Sequence, residues 1–336
     1  MSDPANPQET WLSQVVEEIV EPERPIVDPH HHLWRHGGLP PYLLPDLWND
    51  TESGHNIVKT VFVECAAEYH QDGPEHLRPV GESEFVAGVA AASAKDADKA
   101  EIAGIVAHAD LRLGAELEAT LDAHVEAGRG LFRGIRDAGA RDPHPEALMI
   151  AGRARQGLYA DADFRAGVKR LGNRGLSYDT WHYHHQNRDF LALAEAVPDT
   201  TMVLDHFGTP LGVGPYADRR EEIFEQWKID IADIAKCENV VAKLGGLAMP
   251  DNGFGWFGRA KPPTSDEFVE AQRRYYLHTI ACFGPERCMF ESNFPVDRLS
   301  ISYPVLFNGL KKIVMDFSED EKDAMFRGTA TRIYRL

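Results

Sequence analysis

The run Pro25-Ile-Val-Asp-Pro-His-His-His-Leu-Trp34 is a short apolar stretch that stops abruptly in imidazoles. In an extended strand alternate side chains share a face, so His30 and His32 point the same way. Two neutral imidazoles converging at a strand end suit a divalent metal or a polarised carbonyl group. Taken alone, a His-x-His pair is more often a polar strand end than a site, and the rest of the chain changes that balance.

Working outward, apolar runs that end in polar residues recur. Strands are expected at Ile26 to Asp28, Ile57 to Glu64, Ile102 to His108, Leu131 to Asp137, Leu176 to Asp179, Thr201 to His206, Val240 to Leu244 and Cys288 to Ser292. Between most of them apolar residues return every three or four positions, as over Gly114 to Ala127, Phe164 to Leu171, Arg188 to Ala196, Arg219 to Lys236 and Asp266 to Phe283, which is a helical period. Strands alternating with helices imply a parallel sheet. An open doubly wound sheet uses the same alternation, but the units fill the whole chain and no Gly-x-Gly-x-x-Gly turn is present. The expected fold is therefore α/β, a (β/α)8 TIM-like barrel over residues 25-336 with an N-terminal extension over 1-24. Two insertions, Pro40 to Asn56 and Met249 to Pro263, are lid candidates, with packing on the barrel rim as the alternative for each.

The chain has 336 residues, 43% of them hydrophobic, enough for a large core. Its formal charge of -18 disfavours nonspecific binding to nucleic acid or to anionic membranes and points to a small-molecule partner. A homo-oligomer remains compatible with the sequence. The first residues show neither a basic leader nor an apolar core, and no later run is long enough to span a bilayer, so a cytoplasmic address is expected. Cys65, Cys237, Cys282 and Cys288 form no paired framework, which fits free, largely buried thiols. Cys65, near a strand end, keeps a nucleophilic role as a minor alternative.

The polar residues at the strand ends read, in order, His30 and His32, Glu64, His108, Arg133 and Arg136, Asp179, Asp205 and His206, Lys243, then Glu291 and Asn293. In a parallel barrel the carboxyl ends of the strands assemble the active site. Acids, bases and imidazoles meeting there are hard to explain as scaffold, because unpaired buried charge is costly.

Five motifs carry a resemblance: Ile26-Val-Asp-Pro-His-His-His-Leu-Trp34, Ser177-Tyr-Asp-Thr-Trp-His-Tyr-His-His-Gln186, Val203-Leu-Asp-His-Phe-Gly208, Val241-Ala-Lys-Leu-Gly-Gly246 and Met289-Phe-Glu-Ser-Asn-Phe-Pro-Val-Asp297. With them the chain resembles the amidohydrolase superfamily, in the branch of 2-pyrone-4,6-dicarboxylate lactonase-like and sugar-lactone hydrolases. The resemblance implies that His30, His32 and His206 match histidines that bind a divalent ion in metal-bearing relatives, and that His184 is the fifth-strand histidine, ahead of its neighbour His182. It implies either one zinc or manganese ion or metal-free catalysis by the same imidazoles, since both arrangements occur in the family.

At the eighth strand the sequence departs from its relatives. Most have Gly-Ser-Asp-x-Pro, whose aspartate binds the metal or takes a proton from water; here the run is Glu291-Ser-Asn-Phe-Pro295. Asn293 cannot be a base. Glu291, two positions earlier on the same strand face, is the expected replacement, with Asn293 orienting water or substrate; an ion pair of Glu291 with Lys243 or Arg133 is the competing role. Asp297 is expected at a helix N-cap or on the surface. Arg133, Arg136 and Lys243 are expected to meet a substrate carboxylate, and Glu64 to orient a histidine or pair with a base. Trp34 and Trp181, with Trp48, Tyr183, Phe254 and Trp256, are the aromatic candidates for the pocket wall.

The expected activity is hydrolysis of a lactone, or a related carboxylic ester, of a small carboxylated or sugar-derived substrate by activated water. Two alternatives use the same residues: a metal-dependent nonoxidative decarboxylase of an aromatic or unsaturated acid, and a catalytically degenerate barrel that binds a small acid.

Overall fold

The computed structural model describes residues 7–36 and 39–336. Eight parallel strands follow one another around a barrel: β1 Pro25–His31, β2 Asn56–Val63, β3 Glu101–Ala107, β4 Phe132–Arg136, β5 Ser177–Thr180, β6 Met202–Leu204, β7 Val240–Leu244 and β8 Cys288–Phe290. The chain beyond β8 closes the ring onto β1. Asn293 N donates to His30 O at 3.0 Å and His32 N to Phe294 O at 2.8 Å.

Eleven α-helices are described: α1 Pro7–Leu12, α2 Leu44–Thr51, α3 Val80–Ser93, α4 Glu116–Ala127, α5 Ala162–Asn173, α6 Asn187–Ala196, α7 Arg220–Ile234, α8 Ser265–Phe283, α9 Tyr303–Ile313, α10 Glu319–Asp323 and α11 Thr329–Tyr334. Helix α8 shows why they form. Thr264 caps it by accepting from Glu267 N, the Glu267 carboxylate accepts in return from Thr264 N, and Gly284 ends it at φ 78°. Its buried Phe268, Gln272, Tyr275, Tyr276, Thr279, Ile280 and Phe283 recur at the helical period. Each large apolar side chain buried this way contributes roughly 1.5–3 kcal/mol. None of the described helices is long and apolar enough to cross a membrane.

Two apolar regions hold the barrel. The outer one lies between strands and helices. The inner one is a layer of Val27, Val61, Val106, Val203, Val241 and Met289, sealed from the floor by Ala330 and Tyr334 of α11. At that floor Arg335 donates to Gly175 O, just ahead of β5, at 2.6 Å.

Neither insertion is a detached lid. Pro40 to Asn56 contains α2, whose Leu47 is fully buried and whose Trp48 indole donates to Ala100 O at 3.1 Å, beside the outer end of β3. In Met249 to Pro263, Phe254 stacks on Trp256 with ring centroids 5.4 Å apart, and both line a side cavity of about 480 Å³.

Candidate active site

Glu291 stands at the centre of the charged layer above the valines. Its two oxygens reach two imidazoles: Oε2 lies 2.8 Å from His30 Nδ1, and Oε1 2.7 Å from His206 Nδ1. The local sequence makes room for this. A Cβ on Gly246, at φ 73°, would sit 2.2 Å from His206 Nδ1, and one on Gly245 would sit 2.4 Å from Glu291 Cγ. The Gly-Gly pair after β7 is thus a steric requirement of the cluster. His206 itself sits at φ 53° and Phe207 at φ 59°, a left-handed turn that L-residues adopt only at a cost of order 1–3 kcal/mol.

Two bases surround the same point. Lys243 Nζ lies 3.3 Å from His30 Nδ1, 3.3 Å from Asp205 Oδ1 and 3.0 Å from Asp179 Oδ2. Arg136 donates from Nε to Glu64 Oε1 at 2.7 Å, and its Nη1 lies 3.4 Å from His30 Nε2 and 3.5 Å from Asp205 Oδ2. Tyr334 OH also donates to Asp179. Burial drives the imidazoles and carboxyls of this layer toward their neutral forms. It holds His30 well below the usual histidine range, lowers His206 to about 3, and raises Glu291 to about 8 and Asp205 to about 6, with Lys243 opposing the last two shifts. The direction is the same on both sides of the 2.7 Å His206–Glu291 contact: a neutral imidazole beside a carboxyl held toward protonation.

The donor set fits a divalent cation. One nitrogen from each of His30 and His206 and one oxygen of Glu291 lie within 4.8 Å of one another. Asp179, Asp205 and Glu291 outnumber Lys243 and Arg136 around them, and Glu291 Oε2 and both oxygens of Asp205, though within ion-pair reach of His30, Lys243 and Arg136, accept no well-directed hydrogen bond. Buried carboxyl oxygens short of hydrogen bonds are what a cation would satisfy.

Some expected site residues fall elsewhere. His32 is outside the three-residue donor set; its Nδ1 donates to Val63 O at 2.8 Å and its ring faces Trp34. His184 is not in the cluster. The chain leaves β5 and turns into a 3-10 helix at His184–Gln186, so strand alternation no longer applies, and His184 Nδ1 accepts from Leu211 N while its ring packs on Tyr216. His182 is buried but bonds Asn187 Oδ1 at 3.0 Å, apart from the cluster. Arg133 lies near the floor, donating to Gly130 O, Phe132 O and Ala103 O beside Leu336, because it is the second residue of β4 rather than its carboxyl end. It is no partner for Glu291. The Asn293 amide, at φ 56°, donates to Asp297 Oδ1 at 2.8 Å; Asp297 is fully buried rather than on the surface, and its Oδ2 accepts from Ala248 N. Cys65 is a poor nucleophile, since burial and the nearby Glu82 and Glu64 push its thiol up.

Asp205, one of the polar strand-end residues, joins the cluster beyond the roles expected from the resemblance. Its signal was its place immediately before His206 at a strand end, and the structure sets it against Lys243, Arg136 and His30. Above the cluster opens a cavity of about 680 Å³, lined among others by His32, Trp34, Glu64, Arg136 and Trp181. Trp48 and Tyr183 are not part of that wall; the Tyr183 hydroxyl bonds Gly152 N and Ile150 O from behind it. A volume of that size suits a small organic molecule.

The chain is similar to known proteins along nearly its full length. It is 32% identical to the uncharacterized protein y4mH of Sinorhizobium fredii, over 93% of this chain and 98% of that one. It is 24% identical to L-fucono-1,5-lactonase of Burkholderia multivorans, over 92% of this chain and 96% of that protein. The crystal structure of an amidohydrolase from Burkholderia multivorans with bound zinc superposes with a TM-score of 0.71, at 24% identity, over 93% of this chain and all of that one. The sequence profile described as amidohydrolase matches residues 27–336, and this protein belongs to the amidohydrolase family.

Proposed function

We propose that this protein hydrolyses the ester bond of a small lactone, carboxylated or sugar-derived, with water activated above His30, His206 and Glu291. The observation that carries it is the Glu291 carboxylate spanning His30 and His206 at 2.8 and 2.7 Å, although Asn293 occupies the place where relatives have their aspartate. Similarity to a lactonase along nearly the whole chain supports the substrate class.

His30, His206 and Glu291 would hold one divalent ion, zinc or manganese, which lowers the pKa of a bound water and polarises a carbonyl. That a similar amidohydrolase is known with bound zinc supports this choice. Asp205, with both oxygens free of hydrogen bonds, takes the proton of the attacking water. Water oxygen bonds to the carbonyl carbon, the ring C–O bond breaks, and the departing alkoxide receives the proton from Asp205. Arg136 and Lys243, already oriented by Glu64 and Asp179, set positive charge beside the developing oxyanion. Asn293 holds Asp297 and so the turn after β8.

A pH-indicator screen of sugar lactones, muconolactones and pyrone carboxylates tests this, run with added zinc or manganese and with chelator. Acid release that chelator abolishes is the expected result. Silence across the panel in every condition overturns the lactonase assignment.

A further inference from the structure

We propose that Arg153 selects the substrate by pairing with a carboxylate, so that the preferred lactone carries an acid group remote from its ring carbonyl; this rests on the lactonase reading and narrows it. The cavity above the cluster offers few free cations. Arg136 is taken up by Glu64, through Oε1 at 2.7 Å and its carbonyl oxygen at 2.5 Å, with Asp205 on its third side. Lys243 is fully buried between Asp179 and Asp205. Among the described residues lining that cavity, Arg153 is the arginine whose side chain has no hydrogen bond or ion pair.

An exposed arginine on a loose loop would mean little. The segment bearing Arg153 is pinned from behind by buried groups of two other loops. Asp251, 4% exposed, accepts from Met149 N at 2.7 Å and Ile150 N at 2.8 Å. The Tyr183 hydroxyl accepts from Gly152 N at 2.7 Å and donates to Ile150 O at 3.1 Å. Arg153 then pairs backbone to backbone with Arg141, and Ala154 N donates to Ala140 O at 3.0 Å. The wall is fixed while its guanidinium is left unpaired in a protein of charge -18. A planar guanidinium fork matches a carboxylate in bidentate geometry.

The test compares a carboxylated γ-lactone with its uncharged carboxamide on the wild type, Arg153→Met and Arg153→Lys. The expected result is that Arg153→Met lowers the acid-over-amide preference in kcat/KM by about tenfold to a hundredfold, chiefly through KM, with partial recovery in the lysine variant. An unchanged preference overturns the proposal. If no lactone is turned over, the lactonase reading has failed separately, and glutarate binding followed by tryptophan fluorescence decides: about tenfold weaker binding in Arg153→Met upholds anion selection, and equal or absent binding in both proteins overturns it.

Discussion

The lower and upper layers of the barrel interior stand on the same strands and rely on opposite physics. Val27, Val203, Val241 and Met289 form the lower layer; two or three positions further along, His30, Asp205, Lys243 and Glu291 form the upper one. Burial stabilises the first by roughly 1.5–3 kcal/mol per side chain. In the second, each orphaned polar atom costs about 1–3 kcal/mol. The lower layer therefore provides the rigidity that lets the upper one keep unsatisfied acceptors and a left-handed turn at His206.

Glu291→Gln is the sharpest attack on this division. By weakening the hold on the proposed ion it should lower turnover by at least about 10 to 100-fold while leaving the melting temperature equal or higher, because a buried ionisable group is removed without loss of volume. Parallel kinetics and thermal melts check it, and unchanged turnover would sink the role given to Glu291.

The next test separates scaffold titration from the charged layer. His124, fully buried between Ser83 Oγ and His108 O, is lowered to about 4 by burial, so it stays neutral in the fold. The unfolded chain binds its proton first as pH falls, so stability is whole above about 6.5 and is lost down through about 4, by about 3 kcal/mol. In urea melts across this window His124→Gln should flatten that slope, and the pH profile of turnover should keep its shape.

Val203→Ala probes the lower layer directly. It should cost about 2 kcal/mol in urea melts with turnover unchanged; a large kinetic loss would show that the layers are not separable. The smallest effect is expected at their junction, where Tyr334→Phe removes the hydroxyl from Asp179 but keeps the ring. About 1 kcal/mol of stability should go, with only a modest fall in rate.

The barrel was legible because buried parallel strands are continuous apolar runs and the helices between them keep their period. Helix α2 was not, since its Leu44-Pro45 start and eight-residue length resemble an insertion. Within the site, residue type identified Glu291, but position along a strand mattered as much: Arg133 and Arg136 share β4 and end at opposite mouths of the barrel. The resemblance pointed to His184 through its local motif, but the chain has by then left β5 for a 3-10 turn that carries its side chain away from the cluster. The unpaired state of Arg153 depends on contacts between loops, and no local pattern encodes those.

The closure of β8 onto β1 bears on how the molecule forms. Ser292 N donates to Asp28 Oδ1 at 2.9 Å across 264 positions of sequence, next to the point where Glu291 meets His30. Contacts of such separation carry the largest loop-closure cost, which favours their forming after shorter loops have closed. Until then the carboxylates and imidazoles stay hydrated, and their desolvation falls together on the docking of the final strand. The charged layer is thus assembled only by completion of the ring, because a chain that stops short of closure has the valines of a barrel without the contact between Glu291 and His30.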